Sequence, residues 1–318
     1  MIILNFVFFL LSLFILIKCA GYAIKYSCKL SKSLHFPEFI VSFFIIALIS
    51  VLPEATISVI SALKGEPALG LGTLLGSNIT DLTLVFGIVA LFSSTGIKVK
   101  SKIISNNFYY LLILLFPLIL GFDGRFTRLD GLILILLGLL FFIKVALDSR
   151  RFRKKFNNIN KRESFFKNFV FLIISLVIIL LSAFLTVKFA VNFANDAKLP
   201  AILVGLTIIA LGTCLPELIF SIKAVKKNHD SLALGDILGT VIADITIVLG
   251  IVALISPFTY NPYNIYITGG AMFLAGLLVT IFMKSDRIVK KTEGVFLIIF
   301  YIFYLFVEFL INNVLVIG

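Results

Sequence analysis

Apolar residues run along this chain in blocks of roughly 20, separated by short polar segments. A block of that length matches a helix crossing ~30 Å of hydrocarbon at ~1.5 Å per residue. The pattern predicts ten spans, at about 3–24, 38–63, 68–93, 105–122, 129–147, 166–190, 199–222, 231–256, 262–283 and 294–315. The longest polar interruption, DSRRFRKKFNNINKRESFFK at 148–167, is too short for a soluble domain. The chain therefore reads as an all-α integral membrane protein. Its first five-helix half covers 1–147, a basic linker 148–167, and a second half 168–318.

Composition agrees. With 60% hydrophobic residues and a mean hydropathy of +1.15, there is too little polar surface to cover a water-soluble globule. The net charge of +12 raises the question of nucleic acid, which the position of the charges answers. With the N-terminus outside, the alternating inside loops hold 21 of the 28 basic residues and the outside loops only Lys64, Arg125, Arg128 and Lys198. Lys18, Lys144 and Lys188 fall within spans. That bias orients the chain with both termini outside and 148–167 in the cytoplasm of a multi-pass cell-membrane protein. The lipid bilayer is the partner of the basic charge, and no nucleic acid is expected. Cys19, Cys28 and Cys214 are scattered, without metal-ligand spacing or a disulfide framework, and both histidines, His35 and His229, fall in inside loops. The first apolar block lacks a basic leader and a small-residue cleavage site and reads as a retained span.

The halves repeat one another. A shift of 163 residues superposes IIALISVLPEATIS (45–58) on IIALGTCLPELIFS (208–221), and LGLGTLLGSNITDLTLVFGIVALFS (69–93) on LALGDILGTVIADITIVLGIVALIS (232–256). Over 45–93, 24 of 49 positions are identical without a gap, including Pro53 with Pro216, Glu54 with Glu217 and Asp81 with Asp244. Five spans per half is an odd number, so the second copy enters the membrane from the opposite side. Inverted repeats place equivalent residues around one central site and make outward-facing and inward-facing states near mirror images, as a transporter requires.

Each repeat sets a proline beside a glutamate at mid-span. Proline removes a backbone donor and frees a carbonyl one turn earlier, and unwound backbone at membrane depth survives only where it is buried in protein or lines a polar cavity. Freed carbonyls plus a carboxylate suit a hard cation. Ser77 and Asp81, like Thr240 and Asp244, lie four apart and so on one helical face. Glu54, Asp81, Glu217 and Asp244 all count to mid-depth, where each lone carboxylate costs ~2.5 kcal/mol or more. Gly72, Gly76, Gly235 and Gly239 read as close-packing positions. Glu308 in the last span is equally well explained as a protonated, hydrogen-bonded acid.

These paired segments resemble the repeats of the calcium:cation antiporter superfamily, most closely its sodium/calcium exchanger branch. The resemblance implies a ten-helix fold with two inverted repeats (motifs at 45–93 and 208–256) in which Glu54 and Glu217 coordinate calcium. It implies further ligation by Asp81, Asp244, Ser77 and Thr240, and backbone carbonyls from Ala47 and Ala210. Where such proteins usually read GTSLPE, this chain reads ISVLPE and GTCLPE, keeping Ser50 and Thr213 but placing Val51 and Cys214 at two sodium-type hydroxyl positions. Neither replaces a hard oxygen ligand. Aspartate at both 81 and 244 gives a formal charge of −4, which one divalent ion reduces to −2, so more cations or protons must balance it.

The reading is secondary active antiport by alternating access, of calcium or a similar divalent cation against sodium or protons. It involves no enzymatic chemistry and no cofactor, with inorganic cations as ligands and a monomer as the expected functional unit. A cation channel would use the same acids as a selectivity ring. An intramembrane aspartyl protease rests only on ALGD, ending at Asp236, which opens its span and whose repeat counterpart is Thr73.

Overall fold

The computed structural model describes residues 2–34, 36–65, 67–99, 108–151, 163–196, 212, 214–260, 262 and 265–317. Helix dominates, as the apolar blocks require. Among the described residues, six helices, at Ile3–Leu34, Gly70–Phe92, Arg128–Asp148, Phe165–Thr186, Asp230–Ile255 and Tyr266–Lys284, are long and apolar enough to cross a membrane, and the bent pair Glu38–Ser50 and Leu52–Leu63, counted as one span, makes a seventh. The expected span at 105–122 is a shorter helix, and that at 199–222 lies largely outside the described residues.

Helix α1 (Ile2–Leu34) runs well past its expected end. No proline interrupts the chain before Pro37. Lys25, Lys29 and Lys32, expected in a loop, therefore continue the helix, and Lys32 lies in the last turn, where a cation suits the dipole. Pro37 then caps α2 (Glu38–Val41), followed by a π-helical turn (Ser42–Ile46), α3 (Ala47–Ser50) and α4 (Leu52–Leu63). The axis bends by 41° between α3 and α4. Pro53, in the first turn of α4, has no N–H to return to the preceding turn, so the chain starts a new helix instead of extending the old one.

Helix α5 (Pro67–Thr80) passes through a π-helical turn (Asp81–Val85) into α6 (Phe86–Phe92). The order continues with β1 (Ile97–Lys98), α7 (Phe108–Leu120), β2 (Arg125–Phe126), α8 (Arg128–Arg151) and α9 (Glu163–Asp196). Next come α10 (Leu215–Lys226), α11 (Asp230–Ala243), a π-helical turn (Asp244–Val248) and α12 (Leu249–Ile255). The chain ends with β3 (Phe258–Thr259), another π-helical turn (Ile265–Gly269), α13 (Gly270–Lys284), β4 (Ile288–Val289) and α14 (Lys291–Ile317). Shifting α4, α5 and the turn at 81–85 by 163 lands on α10, α11 and the turn at 244–248 residue for residue.

Contacts between the halves exchange under the same shift. Phe8 stacks on Phe189 at 5.0 Å and Tyr26 on Phe171 at 5.1 Å, joining α1 and α9 side by side in opposite directions. Strand β1 pairs with β4, and β2 with β3. A Cβ on Gly87 would stand 2.6 Å from the Gly294 carbonyl, and one on Gly250 would stand 2.7 Å from the Gly131 carbonyl, so α6 meets α14 and α12 meets α8 at backbone contact. The spans centred on α5–α6 and α11–α12 are the most buried, while α1, α8, α9 and α14 present Phe, Leu and Ile outward.

Of the four glycines read as packing positions, Gly235 and Gly239 fill that role: an added Cβ would meet the Phe39 carbonyl and the Ala47 Cβ, each at 2.6 Å. For Gly72 and Gly76 no such neighbour lies within 4 Å among the described residues. Gly87→Ala and Gly250→Ala should each lower stability by comparable amounts, about 1–3 kcal/mol from overpacking, read as a drop in the unfolding midpoint of the detergent-purified protein. An unchanged midpoint in either would mean that the helices do not touch there.

Candidate functional site

The proline breaks place a helix N-terminus inside the protein, and each glutamate uses it. Glu54 lies in the first turn of α4 and Glu217 in the first turn of α10, where unpaired N–H groups and the positive end of the helix dipole favour a carboxylate. Asp81 and Asp244 open the two π-helical turns, a local widening that frequently marks functional sites. Thr83 and Thr246 donate to the carbonyls of Ile79 and Ile242, at 2.5 and 2.6 Å, within the same turns. A side chain that bonds back one turn bends a helix and helps to hold the distortion.

The fold crosses these elements. Helix α4 packs on the turn opened by Asp244, and α10 on the turn opened by Asp81, so each glutamate faces the aspartate of the other half. Glu217 lies within electrostatic reach of Glu54 and Asp81, and Asp244 within reach of the same two. All four acids are 0–1% exposed. Ser77 and Thr240 are buried beside them, with the Ser77 hydroxyl donating to the Leu74 carbonyl at 3.1 Å. Ala47 opens α3 and is fully buried. Thr213 and Ala210 lie outside the described residues.

One sequence reading gains a partner and another changes. Ser50, expected to offer its oxygen to a cation, donates its hydroxyl proton to Asp236 Oδ1 at 3.1 Å, which leaves the oxygen lone pairs available. Asp236, by sequence a residue that opens its span, is not at its mouth. It lies six positions inside α11, is fully buried, and interacts electrostatically with Glu217 and Asp81. It is a fifth acid of the site. Its spacing held the signal: Asp236, Thr240 and Asp244 recur every four residues and so share one helical face. Cys214 is buried beside Asp81, its thiol facing the Ser77 carbonyl at 3.9 Å, and Val51 is buried at the matching break, so both departures stand at the site itself. Glu308 lies apart, half-buried beside Tyr304.

Among the described residues, both carboxylate oxygens of Glu217 and of Asp244, one each of Asp81 and Asp236, and the hydroxyl of Thr240 are buried without a close hydrogen-bond partner. Buried polar atoms are almost always paired, so a concentration of orphans in one place means that they are spaced for a different partner. Carboxylate and hydroxyl oxygens from several elements form the donor set of a hard cation.

The sodium/calcium exchanger protein profile matches residues 4–145 and 167–310, nearly the whole chain. The chain belongs to the sodium/calcium exchanger family. Sodium/calcium exchanger MaX1 of Methanosarcina acetivorans is 26% identical over 355 residues, spanning 98% of this chain and 100% of its own. Putative antiporter CaxA of Alkalimonas amylolytica is 31% identical over 318 residues, with 95% and 98% coverage. The solved structure of the sodium-calcium exchanger NCX_Mj soaked with Na+ and Sr2+ superposes with a TM-score of 0.83 at 27% identity, covering 96% of this chain and 99% of that one.

The Ser50–Asp236 contact ties the broken helix of the first half to α11 at the site. In a double-mutant cycle of Ser50→Ala and Asp236→Asn, calcium titration calorimetry should show non-additive losses, with a coupling of roughly 0.5–3 kcal/mol. Strict additivity would show that the two side chains act separately.

Proposed function

We propose that this exchanger-family chain carries calcium, or a similar hard divalent cation, across the membrane in exchange for sodium or protons, by alternating access. The observation that carries the reading is the meeting of Glu54, Asp81, Glu217 and Asp244 with Asp236, all buried, with unpartnered oxygens on Asp81, Glu217, Asp244 and Asp236. Glu54 and Glu217 bind the divalent ion at the helix breaks. Asp81 and Asp244 complete its shell with Ser77, Thr240 and the carbonyls of Ala47 and Ala210, while Ser50 and Thr213 supply hydroxyls toward the counter-ion.

The working architecture is ten transmembrane helices in two inverted five-helix repeats, 1–147 and 168–318, joined by a cytoplasmic linker at 148–167, with both termini outside. Support comes from the exchange of contacts under the 163-residue shift and from the opposite directions of α1 and α9. With repeats so related, swapping the conformations of the two halves converts one access state into the other. Coupling follows from charge. Five buried acids in one pocket resist crossing the closed state without cations or protons, so a loaded site moves and an empty one does not. Complete burial of the acids fits a carrier with a closed site better than an open channel ring.

The counter-ion depends on how many hydroxyl oxygens remain. Val51 and Cys214 withhold two, and Asp236 adds a carboxylate whose charge must be balanced, which favours protons, whereas the retained family scaffold favours sodium. Calcium-45 uptake into proteoliposomes at clamped voltage separates the two. Protons are the counter-ion if only a pH gradient drives uptake, sodium if only a sodium gradient does, and uptake under neither would refute calcium exchange. Glu54→Gln or Glu217→Gln should reduce uptake at least ~100-fold, the scale of losing a charged ligand worth about 3 kcal/mol, while leaving the unfolding midpoint within a few degrees. Normal uptake by either variant would remove the glutamates from the site.

A further inference from the structure

A second, chemically different cluster lies outside the acid pocket. Cys28 on α1, Glu38 at the first position of α2 and His229 at the turn between α10 and α11 converge from three elements, with their ligand atoms within 4.8 Å of one another. The Cys28 sulfur stands 3.5 Å from both imidazole nitrogens, and His229 Nδ1 stands 3.1 and 3.2 Å from the two Glu38 oxygens. Local structure fixes each of them. Pro37 starts α2 so that Glu38 opens it, and Asn228, at φ 61°, reverses the chain so that the His229 N–H reaches the Ala224 carbonyl at 2.9 Å. All three side chains are half-buried, reachable by a hydrated ion yet held by packing.

We propose that Cys28, Glu38 and His229 form a binding site for a borderline-soft divalent metal ion of the zinc type, distinct from the transported cation. A tetrahedral zinc ion with Zn–S of ~2.3 Å and Zn–N of ~2.0–2.1 Å holds its sulfur and nitrogen ligands about 3.5 Å apart, the separation seen here. Both imidazole nitrogens stand at this distance from the sulfur, so a turn of the ring aims one of them at the metal. Three protein ligands leave a fourth position for water. Thiolate and carboxylate neutralise the divalent charge, and the thiol proton leaves to solvent on binding, so affinity rises with pH. Around Cys28 the Glu38 carboxylate is the stronger charge and favours a cation, and Lys32 and Lys227 partly offset it.

Ligand type separates this cluster from the acid pocket. The pocket's carboxylates and hydroxyls suit hard cations, whereas sulfur and imidazole select zinc-like ions over calcium. The cluster also lacks the twofold character of the pocket, since a shift of 163 replaces Cys28 by Val191 and Glu38 by Ala201. It is a one-sided attachment that ties α1 to α2 and to the α10–α11 turn.

Cobalt provides the probe. Added to the full-length protein in detergent, Co2+ should produce a near-ultraviolet sulfur-to-cobalt charge-transfer band that saturates at one ion per chain, is displaced by Zn2+ and is unaffected by excess Ca2+. The band should vanish in Cys28→Ser and persist in the Cys19→Ser/Cys214→Ser double variant. His229→Ala or Glu38→Gln should weaken cobalt binding at least ~10-fold. Zn2+ should also protect Cys28 from maleimide labelling in the double variant, and His229→Ala should abolish that protection, a readout that needs no loss of the thiol itself. No band, a band that requires Cys214, or labelling that Zn2+ leaves unchanged would overturn the site and leave a plain imidazole–carboxylate contact beside a thiol.

Discussion

Carboxylates buried at membrane depth set the terms on which the rest of this molecule is built. Five of them meet in one pocket, and each costs at least ~2.5 kcal/mol when charged and alone. Such a cluster persists only where the backbone offers positive ends and the ligands are cations or protons. The proline breaks provide the first of these, because each creates a helix N-terminus beside its glutamate. The π-helical turns provide the aspartates by widening the partner helix where Asp81 and Asp244 begin it. Features that look like defects in a membrane helix are thus the means by which charge is kept inside one.

The packing around the pocket follows from bringing the two halves together. Four elements must approach closely enough for α4 to face the turn at Asp244 and α10 the turn at Asp81. Glycine makes that approach affordable in space: Gly235 and Gly239 bring α11 against the broken helix of the first half, while the pairs Gly87–Gly294 and Gly131–Gly250 close two equivalent seams farther out. Helices α1 and α9 lie along one another, joined by the Phe8–Phe189 and Tyr26–Phe171 stacks and by the Thr186 hydroxyl donating to Ser12 at 3.0 Å. Precision is concentrated at the centre, and the outer faces are left to lipid-soluble side chains.

The pocket mixes ligand types. Val51 and Cys214 stand buried at its two helix breaks without a side-chain oxygen, while Asp236 brings a fifth carboxylate and accepts the Ser50 hydroxyl proton. Each added carboxylate raises the number of cations or protons needed to neutralise the pocket.

Much was legible without coordinates. Apolar block length determined the membrane class, and the repeat at an offset of 163 residues marked Glu54, Asp81, Glu217 and Asp244, because a repeat preserves both spacing and chemistry along the chain. Helix ends were less legible: α1 runs on through Lys25, Lys29 and Lys32 because polarity alone does not stop a helix, whereas Pro37 does. What only the tertiary structure decided are the partnerships across long separations. Ser50 meets Asp236 over 186 positions, and Cys28 meets His229 over 201, although composition had left these residues unconnected. Periodicity reports which face of a helix a side chain occupies, but which other helix covers that face is set by packing between distant segments.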